Sequence, residues 1–360
     1  MGPFAVTEMV DLVNATLDKF EKDKLHMTFA KTSNELFNTM FEEASEDGCG
    51  ERMSWDLTLK DTGNAKMTGL FGEDTKNVLP TDVKGYANWV MATTNASWDV
   101  RAEAFNSANE VRIYNELDGK IANMYREFGD MLNPILLTTP ISSADKVNPV
   151  GIAGWLPMGT ADSEGAFTGT TACYNDGAGT TFYPDTISSA TYPRNSSYFA
   201  DHNGKLGDNL INLIDSASIS THFKPARLPK NLTNRVDWGN LRYLTNKLVK
   251  LNIVQQMRKN DDNIGVNLTK YQNEWVLNGA PLIYVDELDT ASTYLWGTNP
   301  LYAINTMHIF LKCVNGWKFK LGKAVQDANC TKAFTVPLDV MFGMGCNNRQ
   351  QAGYLITNKI

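Results

Sequence analysis

The sequence lacks several features that would assign it to a particular class of protein. It contains no run of 18 consecutive apolar residues, which excludes an ordinary membrane-spanning helix. Its first residues carry neither a cationic leader nor a long apolar segment, so no secretory signal is visible. Basic residues are not in excess, because the formal net charge is −7, and this argues against a basic surface for duplex nucleic acid.

Cysteine is sparse and unpaired in its spacing. No two cysteines form a CxxC motif, and their number is odd, so the sequence predicts scattered reduced thiols of a cytoplasmic product. The five are Cys49, Cys173, Cys313, Cys330 and Cys346.

Catalytic motifs are also missing. There is no nucleophile elbow, no phosphate-binding loop and no dinucleotide-binding glycine pattern. Gly322-Lys323 lacks the upstream glycine of a phosphate loop, and Asp261-Asp262 lacks the ligand order of a calcium loop. The lysines nearest to one another are too few to predict duplex binding: Lys318, Lys320 and Lys323. The histidines lack metal-ligand spacing, and we expect His308 to be a satisfied strand residue; they are His26, His202, His222 and His308. The sequence thus predicts no enzyme and no catalytic, cofactor-binding or metal residues.

What the sequence does contain is organised around one long amphipathic segment, Ser107 to Pro134. Ser107 and Glu110 have capping-box spacing, and Pro134 is expected to end the helix. Such a helix would be about 37 Å long and would need a broad surface to lie against. Its apolar residues recur by threes and fours: Val111, Tyr114, Leu117, Ile121, Met124, Tyr125, Phe128 and Leu132.

Two helices and a hairpin are predicted before this segment. Residues 6–44 hold two amphipathic stretches, the second marked by Leu36, Phe37, Met40 and Phe41. They form either an ordinary helical hairpin or an arm that lies elsewhere on the fold or on another subunit. Alternating apolar residues from Met53 to Leu59 predict a strand, with Met67–Phe71 as its antiparallel return. We expect this hairpin to project, because it has little core of its own.

The second half contains a loop-rich region followed by regular elements. Residues 139–205 are rich in Gly, Thr, Ser and Asn with interspersed aromatic residues, which predicts either a surface insertion or a loop domain that packs around an axis. After it we predict a short helix near Leu210, and a second helix capped by Thr245 with Leu248, Leu251, Val254 and Met257 on its apolar side. Short strands are predicted at 238–244, 275–277, 281–285, 301–305 and 308–311. Near the end, residues 334–346 alternate as one long strand that could pack across the long helix.

The order of these parts resembles the major capsid proteins of tailed bacteriophages, the family with the HK97-like fold. The resemblance covers most of residues 35–357. ERMSWDLTLKDTGNAKMTGLFGED and YANWVMATTNASWDVRAEAFN are similar to the family's extended loop, which runs into a spine helix. Later similar segments are GIAGWLP, LVKLNIVQQMRKNDDNIG, WVLNGAPLIYVDELD, PLYAIN and FTVPLDVMFGMGCNNRQQAGYLI. The 158–205 region is a departure, because its length matches no family element.

The resemblance implies an α+β fold with four named regions. These are an N-terminal arm (1–50), an extended loop (51–106), a peripheral domain (107–145 and 328–360) and an axial domain (146–327, including the 158–205 region). The peripheral domain would hold the spine helix 108–132 and the closing strand 334–346.

The function that the resemblance implies is a shell subunit. It would assemble into hexamers and pentamers of an icosahedral capsid around double-stranded DNA, without sequence-specific binding and without a membrane. It would be made in the host bacterial cytoplasm and reside in the virion. No helical prefix of a fused scaffold is present, which implies a separate scaffolding protein, with a portal and decoration proteins as further partners. We expect no covalent cross-linking through the loop lysines, which are Lys66, Lys76 and Lys84.

Three alternatives remain open at this point. An encapsulin-like compartment has the same fold but encloses cargo in place of a genome. A surface adhesin-like module would suit the Thr- and Gly-rich middle but would need a secretory signal. An enzyme of unknown type would need a nucleophile–base or metal set, and none is visible.

Overall fold

The computed structural model describes residues 35–58, 64, 66–67, 82–99, 110–140, 145, 147–159, 165–168, 195–222, 241–260, 275–278, 280–293, 295–326 and 333–359. The fold is mixed α+β. The helices are α1 Glu35–Glu42, α2 Glu110–Leu137, α3 Ile152–Trp155, α4 Asp208–Ser220, α5 Lys247–Asn260 and α6 Arg349–Ala352, with a 3-10 turn at Asp286–Asp289. The strands are β1 Ser45–Gly48, β2 Arg52–Thr58, β3 Asp82–Asn88, β4 Val90–Asp99, β5 Ala166–Thr168, β6 Ser197–Asp201, β7 Leu241–Thr245, β8 Val276–Leu277, β9 Ala280–Tyr284, β10 Thr298–Asn305, β11 Ile309–Val314, β12 Lys320–Leu321, β13 Val325–Gln326, β14 Ala333–Cys346 and β15 Gly353–Asn358.

The chain divides into two compact units. The first comprises Met1–Cys49, Trp89–Ile135 and Leu311–Phe342, and the second comprises Gly50–Asn88, Leu136–Phe310 and Gly343–Ile360. The segment 328–360, expected to belong to one domain, is therefore shared by both units. Within the described ranges, no helix is both long and apolar enough to cross a membrane.

A six-stranded sheet built on the long strand β14 forms the first unit's framework. The predicted alternation is confirmed, since every second side chain from Phe334 to Cys346 is at most 1% exposed. Strand β4 pairs antiparallel with β14 over ten consecutive residue pairs, from Ala333 opposite Asp99 to Phe342 opposite Val90. Strands β11, β12 and β13 also pair with β14, and β1 pairs parallel with β11.

The long helix forms as expected, but it ends later. Pro134 lies inside α2, which continues to Leu137, so the expectation that Pro134 stops the helix is wrong. A proline within a helix costs about 3 kcal/mol. Leu136 and Leu137 are fully buried, and burying each contributes about 1.5–3 kcal/mol, which offsets that cost. The predicted cap Ser107 lies outside the described residues.

An aromatic cluster joins α1, α2 and β14 within the first unit. Phe319 lies 5.1 Å from Phe41 and 6.0 Å from Phe128, measured between ring centroids, and Phe41 lies 5.5 Å from Phe342. The long strand thus connects to the long helix through these rings.

The second predicted N-terminal helix is confirmed as α1, and it is part of this core. The Phe37 backbone N–H donates to Asn133 Oδ1 at 3.3 Å. Together with the pairing of β1, this ties residues 35–48 of the expected arm to the chain's own first unit, and the apolar residues of α1 are buried there. The first predicted helix lies outside the described residues.

The second unit is built on a seven-stranded sheet of order β5-β6-β15-β10-β7-β9-β8. The predicted helix near Leu210 is confirmed as α4, and α4 and α5 contribute to one apolar cluster with the sheet. The predicted face of α5 is wrong: Val249 and Ile253 are buried, whereas Leu248 and Leu251 are about half exposed. The cap is also different, because Asn246 Oδ1 accepts the Val249 N–H at 2.9 Å. The Thr245 hydroxyl donates instead to the Pro300 carbonyl.

The predicted strand at Met53–Leu59 is confirmed as β2. Its antiparallel partner is β3, from Arg52 opposite Asn88 to Thr58 opposite Asp82. The proposed return strand Met67–Phe71 lies outside the described residues except for Met67.

Candidate functional site: candidate assembly surfaces

The described thiols and imidazoles are mostly buried or half-buried, whereas Cys49 and His222 are exposed. Among the described residues, no group of three or more His, Cys, Asp or Glu side chains could hold a metal ion. Burial raises the pKa of Cys313 and of Cys346 to about 12, so both thiols stay protonated at neutral pH. Cys49 is exposed, and Cys49, Cys313 and Cys346 are free thiols.

His202 is a fully buried structural residue. Its Nε2 lies 3.2 Å from the Asn299 carbonyl oxygen, and its Nδ1 accepts the Gly204 N–H at 3.1 Å. These two bonds assign the proton to Nε2, because Nδ1 acts as an acceptor. Burial lowers the pKa of His202, although the Asn299 carbonyl and Asp201 oppose that shift. A neutral imidazole thus holds the turn between β6 and α4.

His308 lies in the turn between β10 and β11, so the expectation of a strand residue is wrong. Its Nδ1 is 2.7 Å from Asn347 Oδ1, and it is satisfied as expected. Burial lowers the pKa of His308, which the Asn347 contact partly opposes.

Arg349 anchors three distant parts of the second unit. It is only 1% exposed. Its Nε donates to the Trp155 carbonyl at 3.2 Å, its Nη1 to the Asn195 carbonyl at 3.2 Å, and its Nη2 lies 3.4 Å from Ser197 Oγ. The planar guanidinium presents five donors in a fixed fork, so it can bind several acceptors at once. The segment that contains Arg349 was noted for its resemblance to the capsid family. The buried role of the arginine was not predicted.

The β2–β3 strand pair is anchored by Trp55 on β2. The indole Nε1 donates to the Cys346 carbonyl at 2.9 Å. The ring meets Phe310 and Trp155 edge to face, at centroid distances of 5.7 and 6.0 Å. Because Met53 and Leu57 are also buried, the hairpin base has a substantial core, contrary to the expectation of little core.

Gly85 makes this anchor possible. It stands opposite Trp55 in the β2–β3 register, and a Cβ placed there would lie 2.6 Å from the indole ring. Sequence analysis missed Gly85. The available signal was a glycine within a strand pattern, which often marks close approach of another group.

One surface of the first unit is a regular strand face without strong charge. On β4, Met91, Thr93, Asn95 and Ser97 are exposed, whereas the alternate residues Ala92 and Ala96 are buried. Ser97 Oγ lies 3.3 Å from Thr335 Oγ1 on β14. This face can contact a partner without first breaking strong ion pairs.

A second surface combines apolar side chains with an acidic turn. Leu248 and Leu251 are 47% and 52% exposed on α5. Asp289 accepts the Lys247 N–H at 2.8 Å and the Tyr284 hydroxyl at 2.6 Å, which fixes the turn beside the start of α5. The hydrogen bond to Asp289 raises the pKa of Tyr284 to about 12. Because Leu248 and Leu251 lie one helical turn apart, they form a small exposed apolar patch, which makes this surface a candidate contact surface.

Comparison with solved structures identifies the fold. The chain is similar to a chain of the cyanophage A-1(L) capsid asymmetric unit, with a TM-score of 0.59 and 12% identity over 91% of this chain and 93% of that one. It is also similar to a chain of the capsid of a native GTA particle, with a TM-score of 0.52 and 11% identity over 92% and 91% of the two chains. No family model matches the sequence, and no curated protein matches it. The chain therefore has the fold of these phage and particle capsid chains.

Proposed function

We propose that this chain is the major capsid protein of a tailed double-stranded DNA bacteriophage and forms the shell that encloses the genome. The observation that carries this proposal is the similarity to a cyanophage capsid chain over 91% of this chain and 93% of that one. Similarity over nearly the whole of both chains favours a common architecture over a single shared motif.

The proposal assigns the HK97-like regions to this chain as the resemblance implied them. The spine helix is α2, the closing strand is β14, and β2 and β3 are the base of the extended loop. The axial domain is centred on the seven-stranded sheet, to which β15 also contributes, although the resemblance placed residues 328–360 in the peripheral domain. The buried Trp55 and Arg349 support these assignments, because a shell subunit needs rigid bases for the segments that reach its neighbours.

The shell is assembled from hexamers and pentamers of the chain. Closed symmetric assembly buries surfaces that a single copy leaves exposed, and two such surfaces are the strand face of β4 and the leucines of α5. A separate scaffolding protein, a portal and decoration proteins would complete the particle. A net charge of −7 suits a container that does not bind DNA tightly.

The proposal places the protein in the virion after synthesis in the bacterial cytoplasm. Contacts between copies would be non-covalent. Particles boiled in SDS should therefore release the 40.0 kDa monomer, whereas covalent ladders would contradict this part of the proposal.

The decisive experiment is electron microscopy of the full chain, produced alone and with candidate scaffolding proteins, together with particles from the native source. We expect closed icosahedral shells with hexameric and pentameric units, and nuclease-protected double-stranded DNA in native particles. A chain that stays monomeric under all these conditions would contradict the proposal. Closed shells that carry protein cargo and no DNA would favour the encapsulin-like alternative.

A further inference from the structure

Strand β4 has one long edge with no strand paired to it in the described part of the chain. Its only partner there is β14, which pairs with residues 90–99 in unbroken register. An edge of this kind presents a row of backbone N–H and C=O groups that another strand can bind.

The edge carries none of the usual devices that prevent strand addition. Residues Val90 to Trp98 include no charged residue and no proline, and the pairing with β14 contains no bulge. Natural sheets usually protect exposed edges with such features. Their absence over nine residues favours an edge that is covered in the working assembly.

Other edges in the described residues are poor partners for β4 because they are short or charged. Strands β5, β8, β12 and β13 have two or three residues, and β1 has four, two of them acidic. Strands β2 and β3 each have seven residues but carry charges at Arg52 and Asp56 and at Asp82 and Lys84. The edge that matches β4 in length and neutrality is β4 of a second copy.

We propose that β4 pairs antiparallel with β4 of a second copy across a two-fold axis, which joins two six-stranded sheets into one. A two-fold contact requires one surface to complement itself. With the axis at Thr94, Thr93 lies opposite Asn95 of the partner subunit and Met91 lies opposite Ser97 of the partner subunit. This register keeps the exposed residues of both copies on the same face, as antiparallel pairing demands.

Charge does not oppose this register. The acidic residue that ends the strand, Asp99, falls opposite the position of Trp89 in the second copy, so no like charges face each other. Two copies with a net charge of −7 each repel over most of their surface, and a neutral edge lets them approach.

This inference rests on the proposed function, because the contact between two strands is too small to hold two copies together without the rest of a shell. Stable interfaces bury about 1,200–2,000 Å² in total, and two ten-residue edges bury much less. We therefore expect the pairing to be weak in solution and to be held in place within the assembled shell.

Disulfide trapping in the full chain tests the register. Thr94→Cys is placed in a background in which Cys49, Cys173 and Cys330 are serine, with the buried Cys313 and Cys346 retained. Directly opposed antiparallel residues have Cα atoms about 4.5–5.5 Å apart, within disulfide range. We expect mild oxidation of concentrated protein and of particles to yield dimers on a non-reducing gel.

Met91→Cys is the matched control. In the proposed register the two copies of position 91 are about 20 Å apart, so no dimer should form. Met91 is half exposed, whereas Thr94 is partly buried, so random collision would favour cross-linking at position 91. Failure of Thr94→Cys to dimerise, equal cross-linking at position 91, or peptide mapping to any partner other than β4 would overturn the inference.

A charge pair gives an independent measurement with unchanged cysteines. Thr93→Lys with Asn95→Glu places lysine opposite glutamate at both symmetric positions, whereas Thr93→Lys with Asn95→Lys places lysine opposite lysine. We expect the first variant to associate roughly tenfold more tightly than the second in sedimentation experiments at low salt. Equal association would contradict the register. Shells that form normally while both tests fail would refute this inference but leave the proposed function standing.

Discussion

Replacing Gly85 with alanine should loosen the β2–β3 strand pair by displacing Trp55. The added Cβ would lie 2.6 Å from the indole Cε2 and 2.8 Å from Nε1, which is closer than van der Waals contact permits. The Trp55 indole must therefore shift, and a rigid ring cannot shift without disturbing its contacts with Phe310 and Trp155.

The expected cost follows from the contacts that the indole would lose. Losing the hydrogen bond from the indole Nε1 to the Cys346 carbonyl costs about 0.5–1.5 kcal/mol. Weakening two edge-to-face aromatic pairs costs about 0.5–1.5 kcal/mol each. Because the side chain will relax in part, we expect Gly85→Ala to lower the free energy of unfolding by about 2–4 kcal/mol.

Gly119 provides the matched control. It lies in α2, and a Cβ added there would meet no atom of another described segment within 4 Å. Alanine also favours the helix over glycine, so Gly119→Ala should raise stability by about 0.5–1 kcal/mol. Urea denaturation followed by tryptophan fluorescence measures both changes.

A double-mutant cycle identifies the cause. In a Trp55→Leu background the smaller side chain leaves room, so Gly85→Ala should cost less than about 1 kcal/mol there, which corresponds to a coupling of about 1–3 kcal/mol. A Gly85→Ala change within about 0.5 kcal/mol of the parent, or costs that simply add in the double mutant, would refute this explanation.

Three further predictions concern buried polar groups. Arg349→Met should lower the free energy of unfolding by about 3–5 kcal/mol, because three hydrogen bonds from a charged donor are lost and each contributes about 1.5–3 kcal/mol. Arg349→Lys should not restore this stability, because lysine lacks the planar fork of donors. Thermal unfolding measures both changes. Burial lowers the pKa of His202 in the folded state, so the unfolded chain binds more protons and stability should fall as the pH drops below about 6.5; His202→Gln should reduce this dependence in denaturation series at about pH 5 to 7.5. In native protein a thiol reagent should modify Cys49 quickly and should reach Cys313 and Cys346 only after unfolding, since burial raises the pKa of both thiols to about 12; rapid native labelling of either would contradict their burial.

Some elements could be predicted because their pattern is local. The period-two alternation from Phe334 to Cys346 predicted β14, and the apolar residues of α2 predicted a long helix. The spacing of apolar residues shows which side of an element is buried, and in both elements this spacing repeats often enough to identify a strand or a helix. The family resemblance added the expectation of a capsid-protein fold, and the similarity to solved capsid chains agrees with it.

Other features depended on contacts that sequence spacing does not contain. Leu248 and Leu251 looked as apolar as Val249 and Ile253, but the sheet covers only the second pair. Pro134 has a strong local tendency to end a helix, and the burial of the residues after it outweighs that tendency. Arg349 is defined by partners far away in sequence, and the glycine at position 85 signals a close approach without showing that Trp55 is the partner.

The element types, the lack of a recognisable catalytic motif and the resemblance to capsid proteins were all accessible without coordinates, because they follow from composition, periodicity and motif order along the chain. The folded chain was needed to show which faces are covered, where Trp55 and Arg349 find their partners, and that β4 keeps an unpaired neutral edge among the described strands. The physical reason is that burial and hydrogen bonding are settled between segments far apart in sequence, after each segment has formed its own helix or strand.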